Sequence, residues 1–176
     1  MKITFAPRGI LQIDEARIIF KNLSGAPDKY NRQGGKRSFS VKIEDEEIAN
    51  ALVKEGWEVR IKDGREEGDP PRMHLPVKIN FNDFGPNVYL KSGNAINVLD
   101  ANTVGCLDRL EIASVDLDLR PYNWTDDDGK PRRSAYLKSM HVTQEVDRFA
   151  ARIDAERMQN NGYADEYMPS DEDTPW

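Results

Sequence analysis

Val115-Asp116-Leu117-Asp118-Leu119-Arg120-Pro121-Tyr122-Asn123-Trp124 and Ser134-Ala135-Tyr136-Leu137-Lys138-Ser139-Met140 are the two runs that set the architecture of this chain. In the first, Val115, Leu117 and Leu119 alternate with Asp116, Asp118 and Arg120, the period-two pattern of a strand with one wet face. Asp128-Gly129 lies between the runs and is a tight-turn signal. Residues 107–124 and 134–144 therefore read as one long antiparallel hairpin. Upstream, residues 10–23 read as a second long strand, with Ala16, Ile18 and Phe20 on one face and Arg17, Ile19 and Lys21 on the other. Asp14-Glu15 marks a bulge or bend in it. Phe39, Val41 and Ile43 alternate with Ser40 and Lys42 in a strand over 38–43, and Trp57, Val59 and Ile61 alternate with Glu58, Arg60 and Lys62 in another. Residues 75–81 and 87–91 form two strands around a turn at 82–86. A helix is expected over 44–55, where acids crowd the first turn, Ile48, Ala51 and Leu52 make an apolar stripe and Gly56 ends it. A second, amphipathic helix spans 145–158, with Val146, Phe149, Ala150 and Ile153 on one face and Gly162 as its stop. Several strands, long hairpins and no alternating strand–helix units predict a mainly β fold, a small antiparallel barrel with one inserted helix.

Charge is unevenly placed along the chain. Residues 1–153 carry 24 basic and 24 acidic side chains and sum to zero, whereas 154–176 carry seven acids against Arg157. The whole net charge of −6 thus sits in the last stretch. Residues 1–42 hold nine Lys/Arg against three acids. Binding of a polyanion depends on the local field and not on the total, so an acidic pI does not exclude nucleic acid. No apolar run approaches the roughly 18 residues of a membrane span. Residues 1–8 are too short and polar for a signal peptide. Cys106 is the only cysteine, which excludes an intrachain disulfide and fits a reducing cytoplasm.

Enzymatic templates find no match. There is no Gly-rich phosphate loop and no Gly-x-Ser-x-Gly elbow. His74, His141 and Cys106 are far apart and lack metal-ligand spacing. The acid runs 44–47 and 126–128 fall at a helix start and in a turn, where acids have structural reasons to be. The expectation is a protein without catalytic residues, metal or cofactor. What remains is basic residues interleaved with aromatics in two loops. One is Lys29-Tyr30-Asn31-Arg32-Gln33-Gly34-Gly35-Lys36-Arg37; the other runs from Tyr122-Asn123-Trp124 through Lys130-Pro131-Arg132-Arg133 to Tyr136. Single-strand binding needs cations along the phosphates and flat π faces for unpaired bases. By parity Phe20, Phe39, Phe149 and Trp57 belong to the core, while Tyr89 shares a face with Lys91, Tyr122 and Trp124 share one with Arg120, and Tyr136 shares one with Lys138. The candidate binding residues are Tyr30, Arg32, Lys36, Arg37, Tyr89, Lys91, Arg120, Tyr122, Trp124, Lys130, Arg132, Arg133, Tyr136 and Lys138. Gly-rich basic hairpin tips are also ordinary solvated loops, and that reading stays open for either loop alone.

The chain closes on Asp171-Glu172-Asp173-Thr174-Pro175-Trp176, and residues 163–176 contain five acids and no Lys or Arg. Such a stretch buries too little apolar surface to fold. It serves either solubility or docking, and a Pro followed by a terminal indole favours docking. This arrangement resembles the C-terminal tip of single-stranded DNA-binding proteins of bacteria and tailed phages, with Trp176 where an aromatic ends the acidic tail. The strand Ala16-Arg17-Ile18-Ile19-Phe20-Lys21-Asn22-Leu23 and the barrel with an inserted helix are similar to the tailed-phage members. The resemblance implies an OB-fold over residues 1–158 and a disordered acidic tail over 159–176. It also implies sequence-independent coating of single-stranded DNA in replication, recombination or repair, in the cytoplasm of a phage-infected bacterium. Asp171, Glu172, Asp173, Pro175 and Trp176 would contact a polymerase, helicase or primase, and homodimers occur in the family. Two other classes compete: an adaptor or assembly protein with an acidic docking tail, and a nuclease or annealing recombinase.

Overall fold

The structure, a computed structural model, describes residues 1–164. Strands β1 (Lys2–Phe5), β2 (Leu11–Asn22), β3 (Arg37–Ile43), β4 (Arg60–Lys62), β5 (Arg72–Ile79), β6 (Asn87–Ser92), β7 (Ala95–Leu99), β8 (Ile112–Thr125) and β9 (Pro131–Gln144) form one sheet. Helix α1 (Glu46–Lys54) follows β3, and α2 (Arg148–Ala164) follows β9. The apolar positions that alternate in the sequence are the ones that close the core. Phe39, Val41, Leu75, Val77, Leu117, Leu119, Leu137 and Met140 are all buried. β2 pairs antiparallel with both β3 and β8, β3 with β5, and β8 with β9. β5 then meets β9 in parallel, with Val77 opposite Ala135 and Lys78 opposite Tyr136. That last contact closes a ring β2–β3–β5–β9–β8, a five-stranded barrel of OB-fold type.

Local chemistry explains the punctuation. Asp45 caps α1 by accepting the Glu47 N–H at 2.8 Å, as the acid-rich start predicts. Gly56, at φ +91, ends it, with its N–H donated to Val53 O and that of Trp57 to Leu52 O. In the β8–β9 turn Gly129 has φ +77, and Asp126 Oδ1 accepts the N–H groups of Asp128 and Lys130 at 3.0 and 2.8 Å. Of the bulge or bend expected at Asp14-Glu15, the structure has the bulge. Register with β8 shifts between Ile13 and Ala16, and Glu15 has φ +54 with its N–H on Asp116 Oδ1.

Several expectations are corrected. Phe20 and Phe149, assigned to the core by parity, are 71% and 57% exposed. A second bulge between Ile19 and Asn22, with Phe20 at φ +53, turns that ring to the outer face. The apolar stripe of α2 stays open, with Ile153 also exposed, because the barrel interior is already filled by its own strands. Ile61 is exposed, since the strand there is reduced to Arg60–Lys62 at an edge of the sheet. β8 begins at Ile112, and residues 104–108 form a 3-10 turn instead of extending the strand. β5 and β6 are not hairpin partners. They follow one another along the same edge of β9, both parallel to it. β1 and β7 went unpredicted. α2 begins at Arg148 and runs through Gly162 to Ala164, since a helical glycine costs about 1 kcal/mol without forcing a stop. The expected tail thus begins inside α2, and its tip, Asp171 to Trp176, lies outside the described residues. Among the described residues no helix is long and apolar enough to cross a membrane.

Leu75 is fully buried on β5, the strand that closes the ring. Leu75→Ala should cost about 2–5 kcal/mol in chemical denaturation.

Candidate nucleic-acid interface

Outward positions follow directly from the registers, because residues opposite one another in a ladder share a face. β3 presents Ser38, Ser40 and Lys42 against Lys78, Pro76 and His74 of β5. Lys78 pairs onward with Tyr136 of β9, and Tyr136 with Arg120 of β8. Tyr122 and Trp124 continue the β8 row opposite Ser134 and Arg132. None of these twelve positions is an acid, although residues 1–153 as a whole carry as many acids as bases. Two aromatics meet here: the Tyr122 and Tyr136 rings lie edge to face at 5.8 Å. Lys78 Nζ stands 5.9 Å from the centre of Tyr136. Tyr122 is 57% exposed. Trp124 is pinned by its indole N–H, which donates to Ser134 Oγ at 2.9 Å.

The basic loop between β2 and β3 is built around Asn31. This side chain is buried and donates to Lys36 O at 3.0 Å and, at longer range, to Gly25 O and Ala26 O. Asp28 Oδ1 accepts the Tyr30 and Asn31 N–H groups at 2.8 and 2.7 Å. The core of the loop is therefore polar and satisfied, and Tyr30, Arg32 and Lys36 project into solvent. Arg37 instead lies over Phe81 at 5.1 Å.

The fourteen candidates do not form one cluster. Arg120, Tyr122, Trp124 and Tyr136 come together, and Lys138 is exposed beside them at a shift in the β8–β9 register. The two loops lie at opposite ends of β5. Arg37 pairs with Ile79 at its C-terminal end, whereas the hairpin tip with Lys130 extends past its N-terminal end, given that Val77 pairs in parallel with Ala135. Tyr89 and Lys91 sit on β6, opposite His141 and Thr143, roughly 17 Å along β9 from Tyr136. Arg132 is held by Asp126 at 2.9 Å. Arg133 acts as a strut: it donates to Glu55 O at 2.6 Å and Asn123 Oδ1 at 2.8 Å and covers Trp57 at 5.6 Å. Trp57 itself is buried, as parity predicts. Sequence reasoning passed over Lys78, although its parity opposite Val77 and Ile79 marks it as outward. It also passed over His74.

Among charged groups, backbone donation by Lys130 chiefly holds the Asp126 carboxyl below the usual range, with Arg132 adding to it. This acid belongs to the turn. Glu44 is likewise lowered, first by its bond to Lys42. His74 is lowered by burial and then by Arg60 and Lys62, and its Nδ1 is buried without a partner among the described residues. Among those residues no group of three His, Cys, Asp or Glu could hold a metal ion.

Compared with known proteins, residues 2–161 match the family model described as "Putative phage ssDNA-binding domain". No curated protein matches the chain. Among solved structures it is similar to the single-stranded DNA-binding protein from bacteriophage Enc34, C-terminal truncation. That match has 15% identity and a TM-score of 0.49, covering 81% of this chain and 90% of that one. For the Enc34 protein in complex with ssDNA the values are 15%, 0.48, 82% and 92%. A further structure of the Enc34 protein gives 14%, 0.45, 84% and 92%.

The sign of the His74 shift sets a pH dependence. Its folded form takes up a proton less readily than the unfolded chain, whose value is 6.5, and Lys42, Arg60 and Lys62 are the charges around it. Stability should be greatest above that pH and fall as pH drops below it, until the folded form is protonated too. His74→Gln should remove this slope in thermal melts run across that range, leaving the separate carboxylate loss at lower pH.

Proposed function

We propose that this chain, which belongs to the phage ssDNA-binding domain family, binds single-stranded DNA without sequence preference across the outer face of β3, β5 and β9 and of β8 from Arg120 onward. The observation that carries this reading is the acid-free face on which Tyr122 and Tyr136 meet beside Lys78. Unpaired bases stack on such rings for about 1–3 kcal/mol each, whatever their identity, while the cations follow the phosphates. A duplex cannot use the rings, because its bases are already stacked. Lys78 and Arg120 are the cations of this face placed against Tyr136, and Arg32 and Lys36 extend the positive field from the loop between β2 and β3, with Tyr30 as a further exposed ring. Arg133 has a structural duty instead.

Residues 165–176 hold five acids and no Lys or Arg. Tethered beside a basic face, this segment is a polyanion at high effective concentration that competes with DNA. Its Asp171-Glu172-Asp173-Thr174-Pro175-Trp176 tip offers charge, a stiff Pro and an aromatic anchor to a basic, apolar groove on a replication protein. The chain would then coat single strands in replication or recombination and recruit partners through the tail.

Fluorescence titration with poly(dT) should give much tighter binding than a duplex of equal length; equal affinity for the two would remove the stacking argument. Tyr122→Ala and Tyr136→Ala should each weaken binding by about 1–3 kcal/mol with the salt slope kept. Lys78→Ala and Arg120→Ala should flatten that slope by roughly 0.7 units per lost phosphate contact. Arg133→Ala should lower the melting temperature more than it lowers affinity.

Deleting residues 165–176 should strengthen binding at low salt and converge with the whole chain at high salt, since both interactions are screened. Trp176→Ala should leave DNA binding intact and abolish capture of purified replication proteins. Unchanged low-salt affinity after truncation would show that the tail does not compete with DNA.

A further inference from the structure

Beyond the bulge at Glu15, β2 alternates again from Ala16 until Phe20. By parity this ring should join Ala16 and Ile18 inside the barrel, where burial would stabilise the fold. Instead the ladder with β3 shifts between Ile19 and Asn22. Phe20 adopts φ +53, a left-handed conformation that bulky residues rarely take. The outcome is an aromatic ring 71% exposed on the outer face. It reaches across β3 to meet the His74 ring of β5 edge to face, with centroids 5.5 Å apart and planes at 75°. Ser40, between the two strands in the ladder, is only 6% exposed although it points away from the core.

The surroundings match the chemistry of the face already described. His74 is opposite Lys42 on one side and Arg60 on the other. Glu44 engages Lys42 at 2.8 Å and Arg17 at 3.9 Å, but Arg60 and Lys62 have no ion pair among the described residues. His74 and Lys78 lie on the same face of β5, about 13 Å apart along the strand, with Pro76 between them.

We propose that Phe20, backed by His74, is a second base-stacking site that carries a single strand from Tyr136 across β5 and β3 to β2. The inference rests on the single-strand reading above and deepens it. A strained backbone that exposes a ring is the pattern of a functional position, where binding benefits and folding does not. Arg60 and Lys62 supply the phosphate contacts at this end of the path.

Fluorescence polarisation of labelled oligo(dT), with thermal melts of the same proteins, tests it. Phe20→Ala should weaken binding roughly tenfold with the salt slope unchanged, and Phe20→Tyr should bind like wild type. Phe20→Gly is the sharper variant. Glycine accepts φ +53 without strain, so the melting temperature should hold or rise while affinity falls as for Phe20→Ala. If wild type binds, Tyr136→Ala weakens it and both Phe20→Ala and Phe20→Gly bind normally, the path ends at β9 and this inference is wrong while the single-strand reading stands. If Phe20→Gly lowers melting temperature and affinity together, the ring is structural and the inference fails. Wild type that binds no oligo(dT) overturns the reading itself.

Discussion

The short parallel contact between β5 and β9 is the constraint on which the rest of the structure depends. It joins only Val77 to Ala135 and Lys78 to Tyr136, yet without it the sheet would be an open, curled ribbon running from β4 to β7. Parallel pairing requires a long crossover, so this contact forms between segments far apart in the chain. Its two register pairs divide the labour. Val77 and Ala135 are both buried in the core, whereas Lys78 and Tyr136 share the outer face, where the cation meets the ring. Closure and interface are thus made by adjacent residues. β6 then continues along the same edge of β9 and extends the sheet beyond the barrel.

Acids balance bases over residues 1–153, but the structure separates them by use. Asp28, Asp45, Asp100, Asp108 and Asp126 accept backbone N–H groups in loops, caps and turns. A carboxylate there satisfies donors that the chain would otherwise leave open. The outward rows of β3, β5 and β9, and of β8 from Arg120 onward, carry none. A chain of neutral body can in this way present a region of one sign, because many acids serve the punctuation and the outward acids of β8, Asp116 and Asp118, precede Arg120. The same accounting explains why Arg132 and Arg133, tied to Asp126 and to the end of α1, differ from Lys78 despite their similar appearance in sequence.

Bulges are the other recurring device. Glu15 and Phe20 both take positive φ within β2, and each resets which side chains look outward. The first is supported by Asp116, which accepts the Glu15 N–H. The second exposes an aromatic ring against His74. β2 pairs with β3 on one edge and β8 on the other, and these bends let a single strand serve both halves of the ring.

The alternation of Val115, Leu117 and Leu119, of Phe39, Val41 and Ile43, and the Asp128-Gly129 turn determined a β-barrel with a long hairpin, because period-two burial and turn chemistry are local properties. The acid-rich start of α1, its stop at Gly56 and an irregularity at Asp14-Glu15 were legible for the same reason. So were Arg120, Tyr122 and Tyr136 as outward residues, since parity within one strand suffices to place them. Only the tertiary structure decided that β5 and β6 both lie along β9, that Lys78 stands beside Tyr136, and that the two basic loops sit at opposite ends of the face. Those facts depend on which distant strands pair and in what register. Phe20 eluded the sequence because one bulged residue inverts parity, and nothing local separates a bulged Phe from a buried one. Tertiary packing alone set its exposure, by holding β2 between two partners whose registers it must satisfy together.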